Sequence, residues 1–208
     1  MSCIYLVRHG STEWNEKQLW QGVVDTELSQ KGRMQAKAIA QFLKGKEISM
    51  IFSSPMKRAF ETARIIAQEI GYEGDIVTDF RLRECEIRLW NGKNFEQVLS
   101  DHHEAFNEWR TNLFSNVEGA ESLGSVQERM YEFLKEIVVH YPNKNVIIVS
   151  HAIALRMLIA KVLGLIPPAH LNFSLDNASL SCLVAKDGNF RVKFLNVTSE
   201  DFPLLSQF

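Results

Sequence analysis

The sequence predicts an α/β fold, a three-layer α/β/α sandwich around a mostly parallel sheet with an antiparallel strand at the edge. Three observations carry that expectation. Short apolar runs at Cys3–Val7, Met50–Phe52 and Val146–Val149 alternate with longer segments whose apolar residues recur at helical spacing. The runs are apolar throughout, as strands covered on both faces of a parallel sheet must be. The chain then closes on two further runs, Ser179–Ala185 and Phe190–Val197, joined at Asp187-Gly188-Asn189, a hairpin-like turn.

Each element follows in order. Cys3–Val7 is bounded by Arg8-His9-Gly10 and reads as a buried strand. Ser29 suits the N-cap of a helix with Ala36, Ile39, Ala40 and Leu43 on its inner face. Met50-Ile51-Phe52 is a second strand, stopped by Ser53-Ser54-Pro55; Ala59, Ala63, Ile66, Ala67 and Ile70 mark the next helix, and Ile76-Val77 a short strand. From Asp79 to Glu121 the pattern is irregular, with Trp90, Phe95, Phe106, Trp109 and Phe114 scattered among polar residues, so short helices and loops are expected. A long amphipathic helix begins around Ser122 or Ser125 and buries Val126, Met130, Phe133, Leu134, Ile137 and Val138. After the strand at Val146–Val149, a helix carries Leu155, Leu158, Ile159, Val162 and Leu163, with Gly164 and Pro167 as its stop. No repeat or linker divides the chain. Residues 1–208 are therefore expected to form one domain, with 79–121 as an irregular cap.

Composition narrows the function classes. The 208 residues are 46% hydrophobic and 23% charged, with a net charge of -2. That balance supplies no general drive toward nucleic acid or an anionic membrane. No run approaches the roughly 18 apolar residues of a membrane span, and the first residues lack the pattern of a signal peptide. Cys3, Cys85 and Cys182 are odd in number and far apart, so neither a disulfide framework nor a Cys-x-x-Cys zinc site organises the chain. The expectation is a cytoplasmic globular protein with a small-molecule partner, no metal and no cofactor. The edge hairpin and the aromatic-rich region permit a homodimer.

Three strand ends deliver polar residues: Arg8-His9, then Ser53-Ser54-Pro55 with Arg58 beyond, then Ser150-His151. Ligands of open parallel sheets bind beyond the carboxyl ends of the strands, so these endings can converge on one crevice. Two histidines, two arginines and a helix N-terminus suit an anion, specifically a phosphoryl group. His102-His103 does not make a metal pair, because adjacent helical residues point apart. Cys85 reads as a packed thiol.

Leu6-Val7-Arg8-His9-Gly10-Ser11-Thr12-Glu13-Trp14-Asn15 resembles the opening signature of the histidine phosphatase superfamily, phosphoglycerate mutase-like branch. The likeness continues in order through Gln21-Gly22, Leu28-Ser29-Gln30-Lys31-Gly32, Ser53-Ser54-Pro55-Met56-Lys57-Arg58-Ala59, Leu82-Arg83-Glu84, Gly119-Ala120-Glu121-Ser122 and Val149-Ser150-His151. The resemblance implies a metal-independent, histidine acid-type phosphatase acting through a phosphohistidine. It implies His9 as nucleophile, Arg8 and Arg58 as the phosphoryl clamp with His151 and Asn15, and Glu84 as proton carrier. Thr12, Asn15, Gln21, Gly22, Arg88 and Ala152 are the expected substrate contacts. Ile87-Arg88 stands where relatives commonly have Phe-Gly, Asn91 where they have Glu, and Ala152 where a Gly follows the second histidine. Arg88, close to Glu84 in sequence, reads either as a cation for a substrate carboxylate or second phosphate or as a surface arginine.

Within that family, mutases carry a longer, more basic insertion than Asp79–Glu121, whose basic residues after Glu84 are Arg88, Lys93 and Arg110. This favours a phosphomonoester hydrolase over a cofactor-dependent phosphoglycerate mutase. A non-catalytic phospho-ligand module would lack one of His9, Arg58, Glu84 or His151, and all are present. The implied substrates are phosphoserine, phosphoglycerate, a sugar phosphate or α-ribazole phosphate. Asp176-Asn177-Ala178-Ser179 resembles the metal-independent phosphoserine phosphatase group.

Overall fold

The computed structural model describes residues 2–186 and 188–201. Six strands form one sheet: β1 (Ser2–Arg8), β2 (Ile48–Ser53), β3 (Ile76–Thr78), β4 (Asn145–Ser150), β5 (Leu180–Lys186) and β6 (Asn189–Val197). Their order is β3-β2-β4-β1-β5-β6. The first four run parallel, while β5 and β6 lie antiparallel at the edge beyond β1. The expected hairpin is thus present between β5 and β6; of its three turn residues, Asp187 lies outside the described residues.

Strand alternation divides the core in two. Ile4 and Leu6 of β1, with Val146 and Ile148 of β4, face one apolar cluster. That cluster includes Met130, Phe133 and Leu134 of α5 (Leu123–His140) and Leu155, Leu158 and Ile159 of α6 (Ala152–Leu163). Tyr5, Val7, Ile147 and Val149 point to the other face, against α2 (Gln30–Leu43) and α3 (Lys57–Ile70). The helices begin and end where local chemistry directs them. The Ser29 and Ser122 hydroxyls accept from the third backbone N–H of α2 and α5, and Gly164 ends α6 at φ 67°.

The stretch expected to be irregular holds more order than its sequence suggested. A short helix α1 (Glu13–Glu16) opens the segment after β1, and a 17-residue helix α4 (Phe95–Thr111) lies inside the cap. Asn94 and Gln97 form a reciprocal capping box at its start, and Val98, Phe106 and Trp109 are its buried side chains. His102 leaves helical geometry (φ -140°, ψ 30°) and breaks the apolar period, which is why the spacing did not register as one helix. Trp20, Trp90, Phe106 and Trp109 pack into an aromatic cluster, with Trp90 and Trp109 ring centres 4.9 Å apart.

Register places the chemistry. Arg8 pairs with Ser150 and Ser53 with Val149, so β1, β4 and β2 finish side by side at one edge of the sheet. The pairing continues one residue further, His9 N–H donating to Ser150 and Ser54 N–H to Val149. Strand order was not readable from sequence; it is what brings the three polar endings together.

Candidate active site

The Arg8-His9-Gly10 turn is tightly built. A Cβ on Gly10 would strike the Gly32 backbone, and one on Gly32 would strike Ser11, so the turn and the start of α2 approach at glycine distance only. Gly10 N–H donates to Thr62 Oγ1, while Ala178 N–H and Asn177 Nδ2 donate to the His9 carbonyl. The His9 ring is thereby fixed. Its Nδ1 lies 2.7 Å from the Gly10 carbonyl and carries the proton to it, leaving the Nε2 lone pair facing Arg58 Nε at 3.2 Å. Burial, then Arg58 and Arg8, hold the His9 pKa well below the ordinary imidazole range, against a smaller opposing effect of the Gly10 carbonyl. His9 is a neutral base with an aimed lone pair.

Arg58 is buried at the start of α3. Its Nη1 donates to the Val24 carbonyl at 2.7 Å and Nη2 to the Gly22 carbonyl at 2.8 Å; Gly22 sits at φ 49°, a left-handed conformation suited to glycine. Arg8 donates from Nη1 to the Leu175 carbonyl at 2.6 Å, and its buried Nε has no partner among the described residues. Burial lowers both guanidinium pKa values to about 10, with Glu84 pulling the other way. The His151 ring stands edge-on to His9 at 5.1 Å. It shares a 2.8 Å hydrogen bond between Nε2 and Ser54 Oγ. Ser54 Oγ already accepts from Met56 N–H, so its hydrogen is free to donate to Nε2. His151 Nδ1 is buried and has no hydrogen-bond partner among the described residues. Burial, then Arg58 and His9, hold His151 neutral as well.

Glu84 approaches from the other wall. Its Oε1 accepts from Cys85 N–H and Ala154 N–H, and Oε2 from Ile153 N–H, at 2.9, 3.0 and 3.2 Å. The carboxylate therefore caps the N-terminus of α6, where backbone N–H groups favour an anion. Its loop is clamped from outside. Arg129 donates to the Arg81, Arg83 and Glu84 carbonyls and holds the Glu121 carboxylate through Nε and Nη2.

Arg8, His9, Asn15, Gln21, Gly22, Arg58, Glu84 and Ala152 line one pocket of about 240 Å³. Two amides there are oriented by their oxygens. Asn15 Oδ1 accepts from Thr12 N–H and Asn177 Nδ2, and Gln21 Oε1 from the Thr12 and Thr26 hydroxyls, leaving both NH₂ groups as donors. Thr12 is fully buried and outside the lining; it caps α1 and positions these two amides. His151 also lies outside the lining, in ring contact with His9. Arg88 lies outside the lining too. It falls in a 3₁₀ turn (Arg88–Trp90) just after Ile87, whose side chain is the one turned inward to the pocket. The Arg88 side chain is 75% exposed and pairs with Glu86. Spacing missed Gln18, Leu19, Trp20, Ile87, Ile153 and Arg156, all on the pocket wall. Of these, Arg156 left a trace, as a single early cation in the apolar Ile153–Ala160 run. The Cys85 thiol is buried, and burial and Glu84 raise its pKa well above the usual value, which leaves it a packed and inert thiol. His103 bonds Asn107, and among the described residues no three His, Cys, Asp or Glu side chains are grouped to hold a metal ion.

A neutral imidazole with an aimed lone pair, flanked by two guanidinium groups, two amide donors and a carboxylate, can accept and release a phosphoryl group. An α/β fold with this cluster at its strand ends is suited to phosphoryl transfer. The chain matches the histidine phosphatase superfamily (branch 1) over residues 4–198 and belongs to it. It is 34% identical over 196 residues to phosphoserine phosphatase 1 of Hydrogenobacter thermophilus, covering 94% of this chain and 92% of that one. It is 36% identical over 183 residues to the probable phosphoglycerate mutase GpmB of Cronobacter sakazakii, covering 86% and 82%. Among solved structures, it resembles phosphoserine phosphatase of Entamoeba histolytica in complex with 3-phosphoglyceric acid, with a TM-score of 0.84, 27% identity, and 95% and 98% of the two chains covered. By family, fold and relatives it is a phosphatase-type hydrolase.

Proposed function

We propose that this chain hydrolyses a small phosphomonoester through a phosphohistidine on His9. The observation that carries the reading is the His9 ring itself, neutral, with Nδ1 tied to the Gly10 carbonyl and the Nε2 lone pair facing Arg58. In the first step Nε2 attacks phosphorus in line, and the bond from phosphorus to the leaving oxygen breaks. Arg58 Nε turns from Nε2 to a phosphoryl oxygen. Arg8 Nε, the Asn15 and Gln21 amides and His151 Nδ1 supply the other donors. Glu84 gives its proton to the departing oxygen, then takes one from the water that attacks the phosphohistidine, releasing phosphate and regenerating His9.

Phosphoserine leads the substrates, because relatives carry that name, followed by phosphoglycerate, sugar phosphates and α-ribazole phosphate. The decisive test is a panel of these esters assayed with chelator present, scored for released phosphate. Absence of hydrolysis across the panel, or complete inactivation by chelator, would overturn the reading. The GpmB relatives favour a second reading, a cofactor-dependent phosphoglycerate mutase. Incubation of 3-phosphoglycerate with a trace of 2,3-bisphosphoglycerate separates the two, since a mutase yields 2-phosphoglycerate and a phosphatase yields phosphate. Residues 1–208 act as one domain in this reading, with 79–121 as cap over the pocket. Three free cysteines suit a cytoplasmic location, and a homodimer through the β5–β6 edge is measurable by light scattering.

A further inference from the structure

Arg156 is a cation for which the proposed phosphoryl chemistry has no use. It lies one turn into α6, four residues after Ala152, and lines the same pocket as Arg8, Arg58 and Glu84. Its Nε is buried and without a hydrogen-bond partner among the described residues, whereas Arg58 is committed to two loop carbonyls. An unsatisfied buried donor is costly and calls for an acceptor. None of the described residues bonds to the Arg156 Nε. His170 is buried with both ring nitrogens unpartnered, and burial together with Arg156 lowers its pKa to about 4, so it stays neutral and adds no countercharge. Glu84 is the one acid on the pocket wall, and three backbone N–H groups already hold it.

The three guanidinium groups are not equally countered. Arg8 feels Asp176 as well as Glu84, and Arg58 feels Asp25 as well as Glu84, whereas Glu84, which they share, is the acid that acts on Arg156. Arg156 stands on the wall built by α6. We infer that Arg156 binds a second anion on the substrate, a carboxylate on the skeleton of a small phosphorylated acid, and so sets the substrate class. A carboxylate brings one charge to one guanidinium and can take two parallel N–H bonds from it; a second phosphate would bring about twice that charge. The 240 Å³ pocket, below the roughly 300–1,000 Å³ of drug-sized sites, also suits a short acid. The inference takes the role weighed for Arg88 and rests on the phosphatase reading.

Matched substrates test it: phosphoserine against phosphoethanolamine, and 3-phosphoglycerate against glycerol 3-phosphate, which differ by the carboxylate. Wild-type kcat/KM should favour the acid in each pair by on the order of 10- to 100-fold, the worth of a hydrogen bond to a charged group. Arg156→Gln should collapse that ratio toward unity, chiefly through KM, and Arg156→Lys should restore part of it. Thermal melting of each variant reports folding separately. Equal losses for both members of a pair, or no wild-type preference for the acids, would overturn the assignment. So would an Arg156-dependent preference for fructose 1,6-bisphosphate over fructose 6-phosphate, which would make the second anion a phosphate. Hydrolysis of none of these esters by the wild type would overturn the phosphatase reading itself, and the inference with it.

Discussion

Replacing Glu84 by Gln separates proton transfer from architecture, because the structure gives the carboxylate two jobs. Oε1 accepts from Cys85 and Ala154, and a glutamine carbonyl can keep both bonds. Oε2 accepts from Ile153, and there the amide NH₂ would set donor against donor. The variant therefore loses one hydrogen bond to a charged acceptor, about 1.5–3 kcal/mol, which for a chain of this length lowers Tm by about 3–12 °C. Assays well below that melting point isolate the chemistry. General acid catalysis contributes roughly 100- to 10,000-fold, and its weight depends on the leaving group. The serine alkoxide needs a proton and p-nitrophenolate needs little, so the phosphorylation step should slow far more for phosphoserine than for p-nitrophenyl phosphate. Rapid-quench burst kinetics must report that step alone, since dephosphorylation also uses Glu84. Equal slowing with both leaving groups would refute the acid role, and Glu13 and Glu86 would be the carboxylates to test next. An unchanged Tm would refute the capping role.

Other outcomes follow from the same geometry. Acid-quenched enzyme should carry acid-labile phosphate on His9, and His9→Ala should carry none; a labelled His9→Ala variant would move the nucleophile elsewhere. Arg58→Ala should lower kcat on the order of 100- to 1,000-fold, the usual cost of a lost oxyanion donor, and should also loosen the Gly22–Val24 loop it ties down, seen as faster amide exchange there. The pKa values of His9, His151 and His170 are lowered in the folded chain, so the unfolded chain takes up protons below the usual histidine value of about 6.5 while the fold does not. Stability should be full above that pH and fall as pH drops through it toward the folded values. Over the same range kcat/KM, corrected for substrate ionisation, should show no loss from protonation of His9. A pH-independent melting temperature between 7 and about 5 would contradict the linkage.

What the sequence disclosed, and what it withheld, has a physical pattern. The buried strands were legible because they are short and apolar on both faces, and His9, Arg58 and His151 because they stand at strand or helix ends, whereas Glu84 was legible only through the Leu82-Arg83-Glu84 motif. The helix Phe95–Thr111 was not, because the break at His102 interrupts its period. Arg88 stayed open between pocket and surface because spacing says how close a residue is along the chain, while the turn decides which neighbour points inward, and here that is Ile87. Arg156 needed the packed structure. A lone arginine on an apolar helix is ordinarily a surface residue, and only the seating of α6 beside Glu84 makes this one part of the wall. The wall itself is built from segments distant in sequence, which no local pattern reports.

Trp20 belongs to two structures at once. Its side chain lines the pocket, and it packs edge-on against Trp90, Phe106 and Trp109 of the cap. Its backbone is tied to the same region, Trp20 N–H donating to Lys93 and Gly92 N–H to Trp20. Three of the four tryptophans of the chain thus form one optically coupled set with a single member at the ligand surface. Intrinsic fluorescence should therefore follow pocket occupancy without label or turnover, and should do so equally for variants that bind an ester but cannot cleave it.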